Sequence, residues 1–549
     1  MFSITLCWAS SYIFIKDVPP DFSSYAYLAL TSGTAGIILA IVFRRLFSLM
    51  NRTTLIHGVI LAILISGNIL LEKLGLDRIS ASAASTIASS SIIIVPLILI
   101  LRKQYPNRNQ LAGIIIIIAG ILVSRPISME GSGPMGTVYM LASCVLMSLY
   151  TVLATEFTKK SNPLLLTILQ LCLTGLLGLV MWIATEGTSF LSLKLDKGGI
   201  SYIMLLAFFS KAYAYIMLMY AEKYADALSV TVVASTEPVI TVVLALLIPN
   251  AQGSTDVLSW RSLTGALIIM AGAIVAGTEF LSTKRSAEQK GEAAVSPEIQ
   301  PNLEKDIKRF LRPFLYITFI FAGIGISVLS LMEFADGFSE VRPENFLTVF
   351  SGLLFGPAGA LGCAVGNLIT DLFFGDYGAT MVPGFLMNFL AAYIPYKLWN
   401  AVNGRRLHVH SWKNLFLYIW FAALGCLACS AMLGSVLEWT YSYYEEIIPL
   451  TFANNLGFSL VLGLPSFIVL TNERTSLPFF VPKRTVQKSI TLSRYAWGMI
   501  AADTVCFGMV FLLSLMNLHW ANSMAARVFM TLSVLCIAGT VCLPCIDTE

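Results

Sequence analysis

Ionisable side chains set inside apolar runs are the residues best placed to do chemistry in this chain. Lys211 lies in the middle of LLAFFSKAYAYIML, and Glu237 stands in STEPV, directly before Pro238. A charge at mid-membrane costs at least ~2.5 kcal/mol, so each such group asks for a partner or a task. A proline within a helix also frees a backbone carbonyl one turn earlier, which a ligand or side chain can take up. One reading has Lys211 and Glu237 face a cavity, pair with each other and touch a solute. The other is a buried ion pair or capped kink without a ligand. Trp8 and Lys16 are candidates to line the same cavity, although a lysine at a helix end also serves as a snorkelling anchor. Farther along, Asn367 and Asp371 lie four apart on one helical face, Asn388 falls in the next apolar run, and Asp503 sits inside IAADTVCFGMV. Glu72, Lys73, Asp77 and Arg78 read as a solvated loop.

Other chemistries find little support. No GxxxxGK[ST] occurs, so the chain holds no P-loop for nucleotide hydrolysis. Of the four histidines, His408 and His410 fall in a basic stretch without acidic company, so no nucleophile–base or metal constellation forms and no enzyme is expected. The ten cysteines lie mostly in apolar runs, as small hydrophobes; the pairs Cys426/Cys429 and Cys542/Cys545 have no histidine or acidic cluster beside them. No metal or cofactor is called for.

The elements that must position these residues follow from composition. The chain has 549 residues, 57% hydrophobic and 12% charged, against roughly 25% charged for a soluble domain. Mean hydropathy is +0.79. This excludes a soluble enzyme, a nucleic-acid binder and a disordered scaffold, and leaves an all-α polytopic membrane protein embedded in the lipid bilayer. At about 20 apolar residues per crossing, ten spans are read near 2–16, 25–43, 55–71, 80–101, 110–124, 136–155, 163–184, 200–220, 227–248 and 262–279. The first begins almost at Met1, with no cleavable signal peptide before it. A polar linker at 282–308 follows, then six spans within 309–472 (311–332, 343–356, 359–375, 381–398, 413–433 and 448–471). Two more lie in 473–549, near 495–517 and 525–545. Lysines and arginines gather after the even-numbered spans and in the linker, so about 18 spans with both termini cytoplasmic are expected, in the cytoplasmic membrane.

The first module, 1–281, reads as two copies, about 1–125 and 136–280. ASAASTIASSSIIIVPLILIL (81–101) matches ADALSVTVVASTEPVITVVLALL (225–247), with Pro96 aligned to Pro238. LAGIIIIIAGILVS (111–124) matches LTGALIIMAGAIVAG (263–277), with Gly113/Gly120 and Gly265/Gly272 each seven apart. Five spans per copy would make the second enter from the opposite side, a ten-helix inverted repeat of the kind that rocks around a midplane solute site.

On WASSYIFIK (8–16), STEPV (235–239) and the two proline-to-double-glycine patterns, the first module resembles the drug/metabolite transporter superfamily, EamA type. The resemblance implies a ten-helix carrier of small metabolites that uses no nucleotide. On LLFGPAGALGCAVGNLITDL and the six-span count, 309–472 resembles the substrate-binding (S) components of energy-coupling factor transporters. That implies a solute pocket near the outer face, with Asp336, Glu340, Arg342, Glu344, Asn367 and Asp371 as candidates and Asn388 beside them. It also implies energising subunits supplied as separate chains. The combined expectation is an alternating-access transporter of small solutes fused to a solute-capturing module. A non-transporting solute-binding, sensory or scaffold membrane protein is the alternative.

Overall fold

The computed structural model describes residues 1–16, 22–79, 81–123, 134–187, 197–241, 264–265, 267–273, 275–276, 303–332, 342–374, 381–403, 409, 412–441, 447–471, 490–515 and 524–543. Among these every regular element is helical. Eleven helices among the described residues are long and apolar enough to cross a membrane, and four shorter apolar helices accompany them. Against the expected 18, several of the remaining runs form helices below that length, those near 2–16, 110–124, 227–248 and 525–545 among them, and part of 262–279 lies outside the described residues. The helix Phe346–Phe355, for example, has only 10 residues. The chain divides into two compact units: Met1–Ser296 with Glu333–Asp336, and Pro297–Met332 with Gly337–Glu549.

Short polar signals start and stop the helices of the first unit. Ser23 caps α2 (Ser24–Val42) by accepting from the Ala26 amide, and Asn51 caps α3 (Arg52–Leu76) through the Thr54 amide. Asn162 accepts from the Leu164 and Leu165 amides at the head of α8 (Pro163–Glu186), with Pro163 in the first position where no amide is needed. α1 spans Phe2–Lys16, α6 spans Arg108–Val123 and α7 spans Pro134–Lys160.

The span expected at 55–71 runs on to Leu76, which corrects the solvated-loop reading of Glu72 and Lys73. Apolar Leu74 and Leu76 continue the helical face, and Lys73, 5% exposed, ion-pairs with Asp77 one turn on. Glu72 is thereby carried into the helix bundle.

Two expected spans are interrupted. The run at 80–101 forms α4 (Ala81–Ala88) and α5 (Ser91–Leu101), separated by a turn at Ser89–Ser90. The run at 227–248 forms α11 (Ala227–Ala234), turns at Ser235–Thr236 and resumes as helix at Glu237. The two breaks meet, for the Ser89 hydroxyl donates to the Ser235 carbonyl at 3.4 Å. Matching the copies at Pro96 and Pro238 therefore sets the breaks about one helical turn out of register. The run at 200–220 also departs from one regular helix: α9 (Lys197–Leu205) passes through a π-helical turn, Leu206–Tyr213, into α10 (Ala214–Tyr224).

α2 packs along α8, and α3 lies against both α7 and α8. Small residues let the backbones close in. A Cβ on Gly36 would fall 2.7 Å from the Cys172 amide nitrogen, and one on Gly178 2.6 Å from that of Ala29. α6 meets the helical residues between 264 and 276 in the same way. A Cβ on Gly120 would lie 2.8 Å from the Ile269 nitrogen and 2.9 Å from the Gly265 carbonyl. One on Gly272 would lie 2.8 Å from both the Ile117 nitrogen and the Gly113 carbonyl.

In the second unit the helix Leu303–Met332 packs on Pro357–Phe374, which packs on Met381–Asn403, which packs on Trp412–Tyr441. Gly356, at φ +58°, ends Phe346–Phe355, and Pro357 begins the next helix immediately. Another π turn, Ser459–Gly463, interrupts the run from Ile447 to Thr471.

Candidate functional site

The π turn presents Lys211 toward the interior of the first unit. A π turn inserts an extra residue into the ladder and re-aims the side chains around it, a device frequent at functional sites. Lys211 is 3% exposed. Its Nζ lies 5.6 Å from the ring centre of Tyr27 on α2 and 6.0 Å from that of Tyr215 on α10. Trp8 on α1 extends the aromatic wall, its ring 5.9 Å from Tyr215, and Tyr150 on α7 meets Tyr215 edge-on at 6.3 Å. The ammonium is thus held against aromatic faces, whose quadrupoles attract a cation.

Carboxylates come from two other helices. Glu72 on α3 accepts from the Tyr12 hydroxyl of α1 and acts electrostatically on both Lys211 and Glu237. Glu237 is 7% exposed and opens the resumed helix after α11, where the helix dipole favours negative charge. Its Oε1 has no hydrogen-bond partner among the described residues. The expected pairing of Lys211 with Glu237 is therefore corrected. No ion pair joins them, and the carboxylate that acts on Lys211 electrostatically is Glu72. Glu237 begins a helix after a turn rather than standing in mid-helix, and Pro238 follows it, buried, where a missing amide costs nothing. Lys16 closes α1, and its side chain lies outside the described residues.

The arrangement sets polar groups of either sign against aromatic surface. A cation and two carboxylates from α3, the π turn and the post-α11 helix converge, walled by aromatic rings from α1, α2, α7 and α10. Glu72 was missed in the sequence because the span was ended at 71. The signal is in the apolar positions, which continue through Leu74 and Leu76 on either side of Gly75.

The second unit gathers polar groups of another kind. Arg342 donates to Asn367 Oδ1 at 2.9 Å and lies 3.5 Å from Asp371, while Asn367 donates to Asp371 Oδ2 at 2.7 Å. The Arg342 amide donates to Asn454 Oδ1 at 3.1 Å, and Asn345 Nδ2 donates to Asn455 Oδ1 at 2.6 Å. Glu344 is 0% exposed, with Arg342 and Asp371 in electrostatic reach but no hydrogen-bond partner among the described residues. Asn388 turns back to the Gly384 carbonyl at 3.0 Å and does not join the cluster. Asp503, also buried, accepts from Thr540 at 2.8 Å. Asp336 and Glu340 lie outside the described residues. Asn454 and Asn455 escaped the sequence reading because nothing in ANNLGF ties it to a loop more than 100 residues earlier.

Residues 1–125 and 134–283 match the model of the EamA-like transporter family. No curated protein matches the chain. A solved structure titled only "Crystal structure of protein" is similar at 19% identity and a TM-score of 0.40, covering 52% of this chain and 97% of that one.

Proposed function

This chain belongs to the EamA-like transporter family, a family of membrane transporters of small solutes, and on that premise we propose that its first unit carries a small metabolite by alternating access between two inverted five-helix repeats. The observation that carries the reading is the reciprocity of the glycine contacts. Under the repeat, Gly120 corresponds to Gly272, Gly113 to Gly265 and Ile117 to Ile269. Gly120 faces Ile269 and Gly265, and Gly272 faces Ile117 and Gly113, at matching distances. Two copies related by a two-fold axis make contacts of this isologous form. The packing of α2 on its counterpart α8, and the meeting of the breaks at Ser89 and Ser235, fit the same axis.

In this reading the solute binds at Lys211, Glu72 and Glu237, near the helix breaks, where inverted-repeat carriers place their sites. Trp8, Tyr27 and Tyr215 supply apolar surface, and Lys16 lies near one end of the path. The second unit captures the same or a related solute at Arg342, Asn367, Asp371 and Glu344. That part is supported by the motif in 309–472 and by the convergence of these side chains, and any energising subunits are separate chains. The cytoplasmic membrane, with both termini cytoplasmic, follows from the placement of lysine and arginine.

The test is counterflow in proteoliposomes with labelled amino acids, nucleobases and vitamins preselected by thermal shift, since a ligand that binds the folded state must stabilise it. Transient accumulation of one labelled solute, lost in Lys211→Met, supports the reading. A solute that raises the melting temperature yet shows no counterflow favours the binding or scaffold alternative.

A further inference from the structure

Glu222, on α10, has no role in the site just described. It is 0% exposed, and neither carboxylate oxygen has a hydrogen-bond partner among the described residues. α10 packs against α1, α7, α8, α11 and the π turn. From α7 the Tyr150 hydroxyl comes within electrostatic reach of Glu222, and so does Tyr215 from α10 itself. On α8, neutral Gln170 is bonded to Tyr150 at 3.1 Å, and Glu186, the last residue of the helix, accepts from Trp182 at 2.8 Å. On α1, Tyr12 is bonded to Glu72, Cys7 is a buried thiol, and the Lys16 side chain lies outside the described residues. Lys211 on the π turn engages Tyr27, Tyr215 and Glu72, and Lys223 lies over the Tyr224 ring. Among the described residues no cation neutralises Glu222.

An ionised carboxylate without a partner is far costlier inside a bundle than its neutral acid, so binding a proton is the way this side chain becomes tolerable there. A route for that proton lies close by. Past the end of α10, where the chain extends at Ala225, exposed Asp226 caps α11 and lines a cleft of about 390 Å³ with Gln104, Asn107, Thr155, Glu156 and Lys159. Tyr215, within electrostatic reach of Glu222, is also within reach of Glu72 and Glu237 and lies 6.0 Å from the Lys211 Nζ.

We propose that Glu222 is a proton-binding site of the first unit, loaded in this conformation and exchanging its proton with water in the Asp226 cleft. The O–H bond of the acid breaks as a cleft water takes the proton, and the reverse step reloads it, so no other reactant is needed. The proposal deepens the transporter reading by giving it an ion to couple. Its test needs no solute, so the two can fail separately.

pH-jump infrared difference spectroscopy on the full chain in liposomes reads the carbonyl stretch of protonated carboxyl groups. The wild type is expected to show such a band at neutral pH that disappears reversibly as the pH is raised. In Glu222→Gln that component is absent while the melting temperature is unchanged, because glutamine imitates the neutral acid. In Glu222→Asp the component persists at a shifted frequency. Full titrating intensity in Glu222→Gln overturns the proposal. So does a Glu222→Gln variant that fails to fold together with a Glu222→Asp variant that shows no titrating band of its own.

Discussion

The two polar centres of this chain use buried charge in opposite ways. In the first unit Lys211 rests on the rings of Tyr27 and Tyr215, and Glu237 and Glu222 keep carboxylate oxygens without hydrogen-bond partners among the described residues. In the second unit Arg342, Asn367 and Asp371 are joined to one another, and the amides of Asn345, Asn454 and Asn455 tie a loop to a distant helix. Among the described residues of that cluster, Glu344 and the Asn345 Oδ1 are left without hydrogen-bond partners. Both centres lie beside a π turn, Leu206–Tyr213 in one and Ser459–Gly463 in the other, so the backbone device is shared while the electrostatics differ. Under-satisfied charge is costly, and in a transporter it is the kind that a solute or proton can complete. A closed network holds its geometry whether or not a ligand is present.

Substitutions sharpen this contrast, beginning with the largest effect. Lys211→Met is expected to lower counterflow at least about 100-fold, about 2.7 kcal/mol of barrier. Its thermal stability should stay within about 1 kcal/mol of the wild type, since no hydrogen-bonded partner is orphaned. A large loss of stability with transport retained would reverse the roles given to the two centres. Asp371→Ala should show the opposite pattern. It removes the acceptor for Asn367 and the counter-charge for Arg342, and costs about 2–3 kcal/mol in melting experiments. Asn455→Ala breaks the link to Asn345 and should cost about 1–1.5 kcal/mol by the same measurement. Asp77→Asn is the control: its pair with Lys73 is part-exposed at the end of α3, and its loss should change stability by no more than about 1 kcal/mol.

Much of the architecture was legible in the sequence, and the reasons are physical. Apolar runs near the length of a bilayer crossing mark helices regardless of tertiary context, and Gly113/Gly120 with Gly265/Gly272 mark a close backbone approach. Lys211 stood out because a lysine among phenylalanines and alanines has no local explanation. What escaped was set by contacts across the fold. Glu72 looked like the edge of a loop until α3 carried it under Lys211. Glu222 lay in YAEKYAD, which reads as a helix end, and its burial comes from α7 and α8. Lys211 and Glu237 form no ion pair, Glu237 opening a helix after the turn at Ser235–Thr236, and the helix breaks rather than Pro96 and Pro238 meet, at Ser89 and Ser235.

In the proposed mechanism one site in the first unit opens to each side of the membrane in turn. A cysteine at position 27, beneath the Lys211 ammonium, tests it in a background without reactive native thiols. A membrane-impermeant maleimide is applied to right-side-out and to inside-out vesicles. The account predicts labelling of Tyr27→Cys from both faces, with either reaction slowed by a counterflow-active solute. Labelling confined to one face in both vesicle types, with or without solute, would contradict it.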